Sequence, residues 1–363
     1  MSVRSLRYII EPPSACPPGL LTSAGVPVDQ IQMDLDDVAR SAWNEILQTA
    51  PGSSSLFAFF EDLLEPGSNL IWRGSGPGRG TEMRRSFSGL FGRFFARAYL
   101  QLNHGFVWFT AIDGNNFPLS PNWRVRRKSR SKTNMPDWIC VRPGELAIAE
   151  AKGTHQKGNC TRGGQPGPIK TADGQLKGVV VEKRTGGGRL TGWNEKSVKG
   201  WAVMSRWGTA NPVRDPFMYV LDPKTDGEPL SADEIEELSQ AVARKSVEQT
   251  ALGLRLLQGK GAEIVPTPRH KIRIVGDDEK RDFSGSVVSP FGILDMGLDQ
   301  AMELALRMPN PEAVRFVGLE DEVLTNYLEG RHLKELPRRK LNDGTVVGSD
   351  GLVVVPITNT MAS

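Results

Sequence analysis

Between Pro136 and Gly153 the chain reads PDWICVRPGELAIAEAKG, a stretch that leaves its backbone few choices. Two apolar runs of strand length, DWICV and ELAIAEAK, flank Arg-Pro-Gly. Proline there fixes φ and glycine admits left-handed angles, so the pattern predicts an antiparallel hairpin. Side chains alternate along a strand, which sets Leu146, Ile148, Glu150 and Lys152 on one face and Ala147, Ala149 and Ala151 on the other. The alanine face is small enough for a helix to pack closely. The opposite face ends in an acid and an amine, and folding at the turn carries Asp137 back toward Glu150. Isolated charges among valines and isoleucines cost several kcal/mol, so such groups pair with each other or hold a metal. The hairpin is therefore a candidate active site.

The surrounding rhythm predicts an α/β protein with a mixed central sheet flanked by helices, helical N-terminal elements and an α/β C-terminal accessory unit. Residues 1 to 30 hold EPPSACPPG, whose prolines block helix and suggest an extended surface arm. Helical spacing follows from Asp34 to Leu47 and from Ser55 to Leu64. GSGPGRG breaks regular structure, and a longer helix runs from Glu82 to Asn103. GFVWFTAI reads as a strand, followed by a polar loop to Asn134 and the hairpin. IKTADGQLKGVVVEK then reads as a helix, and KGWAVMSRW and PFMYVLD as strands. A long helix is expected over 231–258, and beyond it HKIRIVG, RDFSGSVVS and GTVVGSDGLVVVPI read as strands around helices near 297–308 and 318–333. The implied divisions are an arm with short helices (1–80), a core (81–230), a connecting helix (231–260) and a C-terminal unit (261–363).

Composition excludes several classes. Nothing in 39% hydrophobic and 24% charged residues suggests global disorder, and no apolar run approaches the ~20 residues of a membrane span. Cys16, Cys140 and Cys160 are scattered and odd in number, which suits a reducing, cytoplasmic setting and gives no zinc spacing. His155 and Cys160 lack further ligands nearby, GSGPGRG has neither a preceding strand nor GK[ST], and no nucleophile elbow is present. Net charge is only +3, so any argument for a polyanionic partner rests on local clusters.

Two converging carboxylates suit a hard divalent cation, Mg²⁺ with Mn²⁺ as substitute, and the carbonyl of Ala151 would add a ligand. Such an ion lowers the pKa of a bound water and offsets charge on a phosphodiester, with Lys152 holding the water or the phosphorane oxygens. "PD" at Pro136 and Asp137, followed thirteen residues after the aspartate by "EAK" on an apolar strand, resembles the signature of the PD-(D/E)xK nuclease superfamily. The order helix, three-strand meander, helix, strand over residues 82 to 222 resembles its restriction endonuclease-like core. The resemblance implies a Mg²⁺-dependent DNA endonuclease with Asp137 and Glu150 as metal ligands and Lys152 as catalytic lysine. It further implies an acid from the first helix, for which Glu82 is available, and a glutamine from the next helix, for which Gln175 fits and Gln156 competes. By the same analogy the setting is restriction or anti-phage defence. DNA is the implied partner, with RNA left open, alongside a homodimer or partner proteins of a defence or repair system and no membrane.

Upstream, RVRRKSRSK places Arg124, Arg126, Arg127, Lys128, Arg130 and Lys132 in one loop before Asp137, able to neutralise several phosphates. Lys157, Arg162 and Lys170 would extend that surface. Plainer alternatives stand beside these. Asp137 would cap a turn while Glu150 and Lys152 pair at a solvated strand end, and the basic run would be a solvated face. The tryptophans at 193, 201 and 207 would stack on bases or, by default, pack in the core. On the same fold, a non-catalytic nucleic-acid-binding or complex-assembly subunit is the competing function.

Overall fold

A computed structural model describes residues 3–49, 64–65, 67–73, 80–155, 163–186, 192–210, 213–223, 227–258, 265–266, 270–275, 280–289, 292–294, 296–308, 314–341 and 345–357. The fold is mixed α/β, with several sheets and six α-helices among the described residues. It divides into two compact units: one from residues 2–34 and 63–243, the other chiefly from 35–62 and 244–363. The chain crosses between them more than once, so the four consecutive segments expected from sequence are not its compact units. The helix expected from Ser55 to Leu64 lies, but for Leu64, outside the described residues.

The first unit is built on a seven-stranded sheet ordered β2 (Gln30–Asp34), β1 (Val3–Glu11), β13 (Phe217–Leu221), β11 (Lys199–Arg206), β8 (Glu145–Thr154), β7 (Trp138–Arg142) and β4 (Trp108–Ala111). Most of its neighbours run antiparallel, but β1 pairs parallel with β13 and β8 parallel with β11. Parallel pairing needs a crossover, which the helix α3 (Gly167–Lys177) supplies between β8 and β11. The expected surface arm is instead β1, whose Tyr8, Ile9 and Ile10 are buried. Its prolines fall just after the strand, in short 3₁₀ turns where no ladder donor is needed.

The polar loop before the hairpin also holds structure. β5 (Asn116–Ser120) and β6 (Trp123–Arg127) join β9 (Val179–Thr185), β10 (Gly192–Ser197) and β14 (Glu228–Pro229) in a five-stranded sheet. Alternation hid β6, because Trp123 and Val125 are buried while the intervening residues are arginines. Sequence periodicity likewise ran the helix at 169–183 through VVVEK. The chain turns at Gly178, where a Cβ would lie 2.3 Å from Thr133 Oγ1, and continues as β9.

On the first unit's main sheet, α2 (Thr81–His104) packs across the alanine side of β8. Gly153 faces the Ser88 carbonyl so closely that a Cβ there would sit 1.4 Å from it, and a Cβ on Gly92 would sit 2.4 Å from Gly153 N. Two glycines thus let helix and strand touch backbone to backbone. Tyr8 and Tyr99 hydroxyls meet at 2.6 Å, His104 Nε2 lies 3.0 Å from Tyr99 Oη, and the His104 ring lies tilted against Trp201 with centroids 4.1 Å apart.

In the second unit, β17 (His270–Val275), β18 (Lys280–Ser289), β20 (Arg315–Glu320), β23 (Leu352–Pro356), β22 (Val346–Val347) and β21 (Arg339–Lys340) form an antiparallel sheet, with β19 (Gly292–Leu294) paired to β18. α5 (Leu298–Leu306) covers a core that includes Phe283, Val287, Phe316 and Val353. The helix expected over 318–333 is only α6 (Asp321–Leu328), because the preceding RFVGLE is the buried strand β20. α1 (Leu35–Thr49) belongs here, tied by Arg40 and Asn44 to the buried Asp350 at 2.9 and 2.6 Å. The long helix α4 (Ala232–Gly253) stops short of the expected 258. No helix among the described residues is long and apolar enough to cross a membrane.

Candidate active site

The hairpin turns at Gly144, whose φ of +75° is the left-handed angle the turn requires. Its register pairs Trp138 with Ala149, so the next position outward sets Asp137 opposite Glu150. Asp137 is fixed on three sides. Its N–H donates to Glu150 Oε2 at 3.0 Å, its carbonyl accepts from the Ile112 N–H at 3.0 Å, and its Oδ2 accepts from the Ala151 N–H at 2.7 Å.

Cations complete the cluster. Lys152 Nζ donates to Glu150 Oε1 and, at 2.6 Å, to Gln175 Oε1. Gln175 is buried on α3 and donates from Nε2 to the Met135 carbonyl at 3.3 Å, which ties the helix to the segment entering β7. From α2, on the other side of the sheet, Arg93 Nη1 donates to Asp137 Oδ1, with its guanidinium carbon 5.1 Å from the centroid of the Trp138 ring. Each carboxylate therefore offers one oxygen to a backbone N–H and the other to a cation.

Glu150 is only 3% exposed. Burial, reinforced by the like charge of Asp137, pushes its pKa up to about 8 despite the pull of Lys152 and Arg93. An acid so placed gains from any additional positive charge. Among the described residues no group of three His, Cys, Asp or Glu gathers to hold a metal, so the acidic donors here are two.

Of the expected site residues, Asp137, Glu150, Ala151, Lys152 and Gln175 come together. Glu82 does not join them. It stands exposed in the first turn of α2, eleven residues and therefore about 16 Å of helical rise before Arg93. Gln156, Lys157, Cys160 and Arg162 lie outside the described residues. Sequence reasoning missed Arg93, although a signal was present: Arg93 and Arg97 sit four apart inside the apolar run LFGRFFARAYL, and Arg97 is fully buried against the Phe109 ring.

The basic run needs correction as well. Arg124, Arg126 and Arg127 lie on β6 rather than in a loop, and two of them are engaged within the protein. Arg124 Nε and Arg126 Nη2 each donate to the buried Glu182 at 2.6 Å, and Arg124 lies 3.8 Å over the half-buried Trp193 ring. Trp201 and Trp207 are core residues. Lys128 is half-buried, whereas Arg130 and Lys132 are exposed in the turn that follows.

A different set of basic groups gathers where β8 ends. His155 Nδ1 lies 3.4 Å from Ser88 Oγ, and Arg214 donates to the His155 carbonyl at 2.8 Å. Arg84 stands one helical turn before Ser88, beside Arg85. Burial first, then the charges of Arg84, Arg85 and Arg214, hold the imidazole below its usual pKa. No family model, curated protein or solved structure matches the chain.

Proposed function

We propose that the chain is a metal-dependent nuclease of PD-(D/E)xK type that hydrolyses phosphodiester bonds in DNA. The observation that carries this reading is the convergence of Asp137, Glu150, Lys152 and Gln175 from a hairpin and its crossover helix onto one point. The donor chemistry fits a hard divalent ion: two carboxylates meet across one backbone hydrogen bond, and burial plus mutual repulsion lifts the pKa of one of them. Asp137 and Glu150 would hold Mg²⁺ or Mn²⁺, with the Ala151 carbonyl as a further donor. When bound, the ion supplies Lewis acidity toward water and the phosphoryl oxygens.

The chain's own residues do the rest. Gln175 and Glu150 restrain the Lys152 ammonium, which is thereby preorganised to orient an attacking water and to donate hydrogen bonds to the oxygens that gain charge at phosphorus. Arg84, Arg85 and Arg214, grouped around His155 beyond Lys152, suit the phosphates flanking the scissile one. Exposed Arg130 and Lys132 are available for the same purpose. Arg124 and Arg126 are committed to Glu182 and are assigned a structural part instead.

A binding-only subunit on the same scaffold is favoured by one observation, the occupation of Asp137 Oδ1 by Arg93. Incubation of plasmid, single-stranded DNA and RNA with Mg²⁺, Mn²⁺ or EDTA separates the two. Nuclease action predicts metal-dependent nicking that falls about a thousandfold in Asp137→Ala and Lys152→Ala while the fold is kept. Undiminished nicking by either variant excludes the assigned site. Salt-dependent binding without nicking establishes the binding subunit.

A further inference from the structure

With both carboxyls ionised, charge in the cluster balances without any added ion. Asp137 and Glu150 contribute two negative charges, and Arg93 and Lys152 contribute two positive ones. A divalent cation added to all four would leave a surplus of positive charge around a carboxylate that is 3% exposed, an arrangement whose desolvation penalty has no matching attraction. One resident cation has to withdraw. Lys152 is held by both Glu150 and Gln175 and sits on the sheet itself.

Arg93 is placed differently. It comes from α2 rather than from the sheet, it pairs with Asp137 Oδ1, and the face of Trp138 lies alongside its guanidinium. The other oxygen of Asp137 stays fixed by the Ala151 N–H whatever Arg93 does. Asp137 can therefore exchange one cation for another without losing its position.

From this arrangement we propose that Arg93 is a built-in counter-cation which occupies Asp137 in the resting protein and is displaced by the divalent ion. The proposal rests on the metal-dependent reading above. Its consequence is that the two carboxylates never face each other uncompensated. Arg93, retained over Trp138 by cation–π attraction, then stands beside the site as a cationic group that suits the substrate phosphate.

The test is calorimetric titration of the full chain, stripped with EDTA, with Mn²⁺ and no nucleic acid. Removing the competitor in Arg93→Gln is expected to tighten Mn²⁺ binding about tenfold. In an Asp137→Asn background the same substitution is expected to change nothing, because the site of competition has gone. Equal or weaker binding by Arg93→Gln overturns the exchange while leaving the nuclease reading to stand on its cleavage assay. Absence of Mn²⁺ binding in the unsubstituted chain and the variant overturns both. If Arg93→Gln does not fold, Arg93→Met keeps the stem against Trp138 and is titrated to the same two outcomes.

Discussion

Glu150 and Glu182 are the same residue type, on strands of the same unit, each 3% exposed and each hydrogen-bonded to basic side chains, yet their carboxyls are pushed in opposite directions. Burial raises both. At Glu182 the hydrogen bonds from Arg126 and Arg124 outweigh burial and hold the group below its usual range. At Glu150 the opposed Asp137 adds repulsion to burial, and Lys152 and Arg93 together do not compensate. A buried acid answered by two guanidinium groups is an element of architecture. A buried acid set against another acid, when one residue of slip would have separated them, is a repulsive arrangement of the kind functional sites retain.

Three measurements press on that contrast. The largest effect is expected at Glu182. Glu182→Gln leaves Arg124 and Arg126 facing a neutral group in a half-buried setting and should lower unfolding free energy by about 3 kcal/mol in urea melts. A loss below ~0.5 kcal/mol would show the fork to be idle.

Glu150→Gln should do the reverse. The folded-state pKa lies above the usual carboxylate value of 4.5, so the folded chain holds that proton more tightly and stability declines as pH rises from about 4.5 to about 8. In EDTA at pH 9 the neutral glutamine is expected to stabilise by about 2 kcal/mol, with the two curves meeting at pH 5. Destabilisation at pH 9 would mean that the Lys152 bond outweighs burial.

The smallest effect concerns His104, where burial, aided by Arg142 and Lys199, takes the imidazole down to about 3. A histidine kept neutral when folded contributes stability that is whole above its usual value of 6.5 and declines as pH falls from there toward 3. Relative to His104→Asn, the unsubstituted chain should lose about 1 kcal/mol per pH unit between pH 6 and 5. Parallel curves would show that the ring is not excluded from water.

The hairpin was legible because its signals are local. A turn sequence fixes the register, register fixes which residue opposes which, and alternation does the rest, so Asp137 facing Glu150 follows from counting. Gln175 was reached only through the family resemblance, which implies a glutamine from the following helix. What the sequence did not disclose depends on contacts distant along the chain. β6 reads as a basic loop until Glu182, fifty-eight residues from Arg124, supplies its counter-charge. The acid expected from the first helix was sought at Glu82, but the Gly92–Gly153 crossing determines which turn of α2 reaches the hairpin, and the residue there is Arg93. β1 looked like an arm because one of its two strand partners, β13, lies more than two hundred residues away.

That last pairing bears on biosynthesis. Arg7 lies beside Phe217 and Glu11 beside Leu221, so a ribosome must emit about three-fifths of the polypeptide before the earliest strand, which pairs locally with β2, can meet its other neighbour. Until then the edge of β1 that β13 covers has no partner, and it is open to chaperones and to pairing with neighbouring nascent chains.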